Sequence, residues 1–115
     1  MLILDSSITI DEYILASHRL AKEKGFWDKP RELPELIALC HSELSEALEQ
    51  AREGFEPDYE YTDDKGKPCG IPSELADTVI RIFDLCGYFG IDLDDAILSK
   101  LKYNSKRERK HGKTF

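Results

Sequence analysis

Between Leu75 and Cys86 the chain carries Leu75, Ala76, Val79, Ile80, Ile82, Phe83 and Cys86, apolar at a helical spacing. Together they form an arc too wide for a helix with only one buried stripe. A helix of this kind needs neighbours on more than one side, or most of its circumference faces water unfavourably. It is therefore the expected centre of an all-α fold, with other helices laid against it.

The rest of the sequence supplies those neighbours. A first helix begins at Thr9, where Thr9-Ile10-Asp11-Glu12 fits a capping box. Ile10, Tyr13, Ile14, Ser17, Leu20 and Ala21 keep its period until about Gly25. A second starts near Pro34, a residue suited to a first turn, with Leu36, Ile37, Cys40, Leu44, Ala47, Leu48 and Ala51 as its stripe and Gly54 at its end. The central helix opens at Pro72 or Ser73, and Gly87 and Gly90 weaken its end. The fourth is capped by Asp92, carries Asp94 and Asp95 in the dipole-favoured first turn, and runs to about residue 107. The expectation is one domain over residues 1–115, of four-helix bundle type. The long connection GFEPDYEYTDDKGKPCGI elaborates it between helices two and three. Within that loop Tyr59-Glu60-Tyr61-Thr62, followed by Asp-Asp-Lys-Gly, suits a small hairpin.

Charge narrows the function classes. The chain has a net charge of −7, but residues 100–115 hold seven of its sixteen basic side chains and one acid, so this segment is +6 and the remainder −13. A largely acidic surface argues against general nucleic-acid binding. No stretch reaches the roughly 18 apolar residues of a membrane span. The opening MLILDSSITIDEY has no basic n-region and no sustained apolar run, unlike a signal peptide. Cys40, Cys69 and Cys86 are odd in number and lack a CxxC, which fits a reduced, cytoplasmic protein. Cys40 and Cys86 lie on apolar stripes and read as core.

The second helix stacks carboxylates in CHSELSEALE, with Glu43, Glu46 and Glu49 three apart and Glu53 four further on. Neighbouring like charges on a helix cost roughly 0.2–0.5 kcal/mol per pair. In projection Glu43 lies at the edge of the apolar stripe and Glu46 one sector further out, with Leu39 between them. Carboxylates there are either hydrated or matched by a cation. Glu49 and Glu53 fall further round, on a face that suits water. The central helix repeats the device as Glu74-Leu75-Ala76-Asp77, on a polar stripe shared with Arg81, Asp84 and Tyr88. Alone, this is an ordinary solvated face. Two such pairs on successive helices can converge four carboxylates, and four anions need compensating positive charge. Hard oxygen ligands without Cys or His suit Mg²⁺ or Mn²⁺. A di-iron site would want two ExxH motifs, and the sole ExxH is Glu108 to His111 in the basic tail. On the fourth helix Lys100, Asn104 and Arg107 continue the sector of Leu93, Ile97 and Leu101, which could make a phosphate-binding wall. A fraying, dipole-answering end explains Lys102, Lys106 and Lys110 well and Asn104 poorly.

In their order and spacing, ExxE, ExxD, a following KxxYNxxR and a terminal HGK resemble the MazG-like nucleoside triphosphate pyrophosphohydrolases of the all-α NTP pyrophosphatase superfamily. The stretches that carry the resemblance are HSELSEALEQAR, ELADTVIRIFDLCGYFGIDL and KLKYNSKRERKHGK, with GFWD at 25–28. It covers nearly all of the chain outside the 54–71 loop. The resemblance implies Mg²⁺-dependent cleavage of a nucleoside triphosphate to monophosphate and pyrophosphate. By position, Glu43, Glu46, Glu74 and Asp77 would be metal ligands, with Glu43 and Glu46 carrying catalysis. Lys100, Asn104 and Arg107 would meet phosphates, with Lys110 and Lys113 as weaker candidates. Trp27 and Phe26 would pack around the base, or else anchor the loop between helices one and two. The family's fuller motif, EExxE, has Ser42 at its first glutamate here. A homodimer or homotetramer is expected from the wide apolar arc. The competing expectation is a non-catalytic helical interaction module that keeps the fold.

Overall fold

The computed structural model describes residues 7–115. The opening segment read above for a signal peptide therefore lies partly outside the described residues. Four α-helices occur in the order expected: α1 (Ile10–Glu23), α2 (Leu33–Arg52), α3 (Ile71–Phe89) and α4 (Leu93–Ser105). Two short strands, β1 (Glu60–Thr62) and β2 (Pro68–Gly70), fall between α2 and α3, and a short 3₁₀ turn at Arg109–Gly112 follows α4.

The termini form where their side chains satisfy the free backbone groups of helix ends. Thr9 Oγ1 accepts from the Glu12 amide, and the Glu12 carboxylate accepts from the Thr9 amide, both at 3.2 Å. Asp92 Oδ1 accepts from the Asp95 amide at 3.1 Å and starts α4. Prolines occupy the first turns of α2 and α3, where no intrahelical donor is lost. Gly90 closes α3 in the left-handed conformation, with φ of 68°.

As the apolar arc demanded, α3 is central. Helices α1 and α2 both pack along it, and α4 rests chiefly on α1. The core joins Ile14 of α1, Leu36 of α2 and Phe83, Leu85 and Cys86 of α3, with Ile10, Trp27, Cys40, Ile82 and Leu93 packed against it. Three helices share this centre, so the expected four-helix bundle is met in helix number rather than in a common four-way core. Burial raises the thiol pKa values of Cys40 and Cys86, in keeping with core positions, and all three cysteines are free.

The loop expected to fold back on itself does so. Strands β1 and β2 pair antiparallel with Tyr61 opposite Cys69. Asp63 Oδ1 accepts from the amides of Lys65 and Lys67 at 2.9 Å each, which ties the turn and holds that carboxyl below its ordinary pKa. Among the described residues no helix is long and apolar enough to cross a membrane.

Candidate metal centre

The carboxylates converge where α2 faces α3. One oxygen each from Glu43, Glu74 and Asp77 lies within 4.8 Å of the others. Opposite oxygens around an octahedral Mg²⁺ are about 4.2 Å apart, so small side-chain rotations would let this triad share one ion. Glu46, the fourth expected ligand, is exposed and outside the triad, although its charge still acts on Glu74. Gln50, one helical turn beyond Glu46, donates its amide Nε2 to Glu74 Oε1 at 3.3 Å and steadies that carboxylate from the α2 side.

Burial and mutual repulsion set the electrostatics of the cluster. Desolvation raises the pKa of Glu74, and the charges of Asp77, Glu46 and Glu43 push it further. Asp77 is raised by desolvation first and then by Glu43. Two cations counter this. Lys67, delivered by β2's approach to α3, lowers both groups, and Arg81 lowers Asp77. Arg81 reaches across to α2 and donates Nε–H to Glu43 Oε1 at 2.7 Å. Four carboxylates against these two cations leave two negative charges, the deficit one divalent cation would neutralise. The donor set is all oxygen, so the residues fit Mg²⁺ or Mn²⁺ better than a soft metal.

A cavity of about 490 Å³ opens beside the triad. Tyr13, Leu20, Ala21, Phe26 and Ile80 give it apolar walls, while Glu43, Asp77, Arg81 and Asp84 line it as well. Asp84 is fixed by two donors. Its Oδ1 lies 2.8 Å from His18 Nδ1 and accepts from Trp27 Nε1 at 2.9 Å. Trp27 in turn stacks on Tyr88, with ring centroids 4.1 Å apart at 12°. This network clips the start of the α1–α2 loop onto α3. It places Trp27 as an anchor of that loop, and of these two neighbours it is Phe26 that lines the cavity, with Tyr13 of α1.

The basic groups assigned to phosphate stand elsewhere. Lys100 and Arg107 lie over the Tyr103 ring at 5.5 Å each, and Asn104 is half-buried on the same helix. Lys110 is exposed in the turn after α4. None of these four lines the cavity. Sequence reasoning put Arg81 and Asp84 on the right stripe but gave them no task. Their spacing of four and seven from Asp77 was the available signal. His18 and Lys67 carried no local signal, because tertiary packing alone brings them to α3. Comparison of the chain with protein-family models, curated proteins and solved structures finds no match.

Proposed function

We propose that the protein is a divalent-metal-dependent pyrophosphohydrolase that cleaves a nucleoside or deoxynucleoside triphosphate to the monophosphate and pyrophosphate. The observation that carries this reading is the meeting of Glu43, Glu74 and Asp77 from two helices beside a largely apolar cavity large enough for a nucleoside. Phosphoryl transfer needs positioning and charge neutralisation more than a protein nucleophile, and the site offers the former without the latter. Bound at the triad, Mg²⁺ or Mn²⁺ would neutralise phosphate charge and acidify an attacking water. Water adds to the α-phosphorus, the bond to the α–β bridging oxygen breaks, and pyrophosphate leaves. Glu46, exposed and near enough for its charge to act on Glu74, would take the water's proton, while Glu43 holds its oxygen toward Glu74 and Asp77. Phe26 and Tyr13 offer faces for the base. Lys100, Asn104, Arg107 and Lys110 enter this reading through an assembly that brings a second copy's α4 and the segment after it toward the carboxylates. Ser42 is exposed and outside the triad, so the triad forms without the glutamate that the family motif has there.

The competing reading, a non-catalytic helical module, draws support from the exposed apolar residues of α2 and α4, such as Leu48 and Leu101. Activity separates the two. The purified protein is expected to release pyrophosphate from at least one standard or modified triphosphate when Mg²⁺ or Mn²⁺ is supplied. Glu46→Gln and Asp77→Asn should each lower turnover by about a hundredfold or more while the helical circular dichroism signal persists. A protein inactive across a broad triphosphate panel would sink the enzymatic reading.

A further inference from the structure

Arg81 sits one helical turn beyond Asp77 and is the one cation in contact with the acidic triad among the described residues. Only its Nε is engaged. The two terminal nitrogens donate no hydrogen bond to any described residue. The side chain is 34% exposed, and it lines the cavity together with Glu43, Asp77 and Asp84. A guanidinium tied to a carboxylate through Nε still presents other N–H donors in a rigid plane, a geometry that matches phosphoryl oxygens. Lys100 of α4 and the cations that follow α4 are outside the cavity lining, whereas Lys24 and Arg31 also line it; neither of these pairs with a triad carboxylate, and Arg31 is held 3.3 Å from Glu35.

The same geometry sets up a competition. Any divalent cation that uses Glu43 must share that carboxylate with Arg81, whose Nε already lies 2.7 Å from it. A triphosphate arriving with the metal offers the guanidinium a new partner of higher charge. We propose that Arg81 is the phosphate-binding residue of this site and exchanges partners. It neutralises Glu43 in the metal-free protein and turns its terminal nitrogens to the substrate's phosphoryl oxygens when metal and triphosphate enter. This rests on the metal-centre reading above and goes beyond it by assigning the phosphate contact to α3.

A plain structural tie between α2 and α3 makes a different prediction. Removing a tie weakens metal and phosphate binding together, whereas removing a competitor moves them in opposite directions. Mn²⁺ uptake by electron paramagnetic resonance, first alone and then with inorganic tripolyphosphate, reads both without requiring turnover. Arg81→Gln is expected to bind Mn²⁺ alone about threefold more tightly. The same variant should bind tripolyphosphate in the presence of Mn²⁺ at least about tenfold more weakly. Unchanged tripolyphosphate affinity, or weaker Mn²⁺ binding, in a folded Arg81→Gln protein overturns the exchange. Should that variant not fold, Arg81→Lys decides. It keeps the charge but not the planar fork, so it should hold Mn²⁺ as the wild type does and bind tripolyphosphate several-fold more weakly, and equal affinity overturns the proposal. A wild-type protein that takes up no Mn²⁺ overturns the metal centre and this inference with it. Absence of pyrophosphate release with both binding shifts intact overturns the hydrolytic reading and supports the role of Arg81.

Discussion

At Gly87 the backbone of α3 passes so close to α1 that a side chain has no room. A Cβ there would stand 2.7 Å from His18 Cβ and 3.1 Å from His18 Cγ. The His18 ring is itself held 2.8 Å from Asp84, so it cannot swing aside without breaking that contact. Alanine would gain about 1 kcal/mol of helix propensity. Overpacking of a fixed contact costs typically 1–3 kcal/mol, roughly, and here it adds the disturbance of the Asp84 network. Gly87→Ala is therefore expected to lower the urea midpoint with an unchanged m-value, a net loss of about 1 kcal/mol. A more stable variant would show that the helices have room to spare. In sequence this glycine reads as a weak point near a helix end, because propensity is local. Its actual task, clearance for His18, depends on a partner 69 positions away that no spacing rule connects to it.

The α2–α3 pair concentrates the charge, and its pH behaviour follows. Glu74 and Asp77 have folded pKa values raised above their ordinary 4.5 and 3.8, first by desolvation and then by neighbouring carboxylates. The folded state thus holds these protons more tightly than the unfolded chain does. Their stabilising contribution is fully present below the unfolded values and is lost as pH rises through the raised folded ones. The metal-free protein should lose this contribution across that acidic window, opposed by the gain from Asp63, whose lowered pKa acts in the other direction. Added Mg²⁺ should restore melting temperature at neutral pH and do little below the window, where the ligands are protonated. Asp77→Asn should shrink the pH-dependent loss and abolish the Mg²⁺ response together. A melting temperature indifferent to Mg²⁺ at neutral pH would remove the metal centre. The meeting of Glu43, Glu74 and Asp77 was legible because residues three or four apart on a helix share a face, but the same rule also carried Glu46, which stands outside the triad. The counter-charges were not legible. Lys67 arrives through a hairpin, and Arg81 reads in projection as one more solvated group, so only the packing of α2 on α3 shows what each opposes.

At the scale of the molecule, the chain is more open than its mass warrants. Its accessible surface is 9036 Å², whereas a monomer of 13.2 kDa is expected to expose about 6,400 Å². The radius of gyration is 16.5 Å against about 13 Å for a compact chain of this length. Large apolar side chains contribute to the exposed surface. Leu44 and Leu48 on α2 are 49% and 61% exposed, Leu75 and Val79 on α3 are 45% and 43%, and Leu98 and Leu101 on α4 are 52% and 60%. The first two pairs are spaced four apart, so each lies along one helix face. The wide arc of α3 was legible in sequence, but which part α1 and α2 would leave uncovered was not, since that depends on where each helix crosses it. A surplus of roughly 2,600 Å² per chain exceeds what a stable interface commonly buries on each side. Self-association through α2, α3 and α4 is the arrangement that would cover these residues. Light scattering at micromolar concentration should return at least twice the 13.2 kDa chain mass. Leu48→Asp, which places a charge on the most exposed of the α2 leucines, should shift the protein toward one chain while leaving its helical signal in place, because Leu48 lies outside the core of α1, α2 and α3. A wild-type protein that scatters as a single chain would mean that these leucines face water or a different partner, and the openness of the fold would then belong to the free monomer.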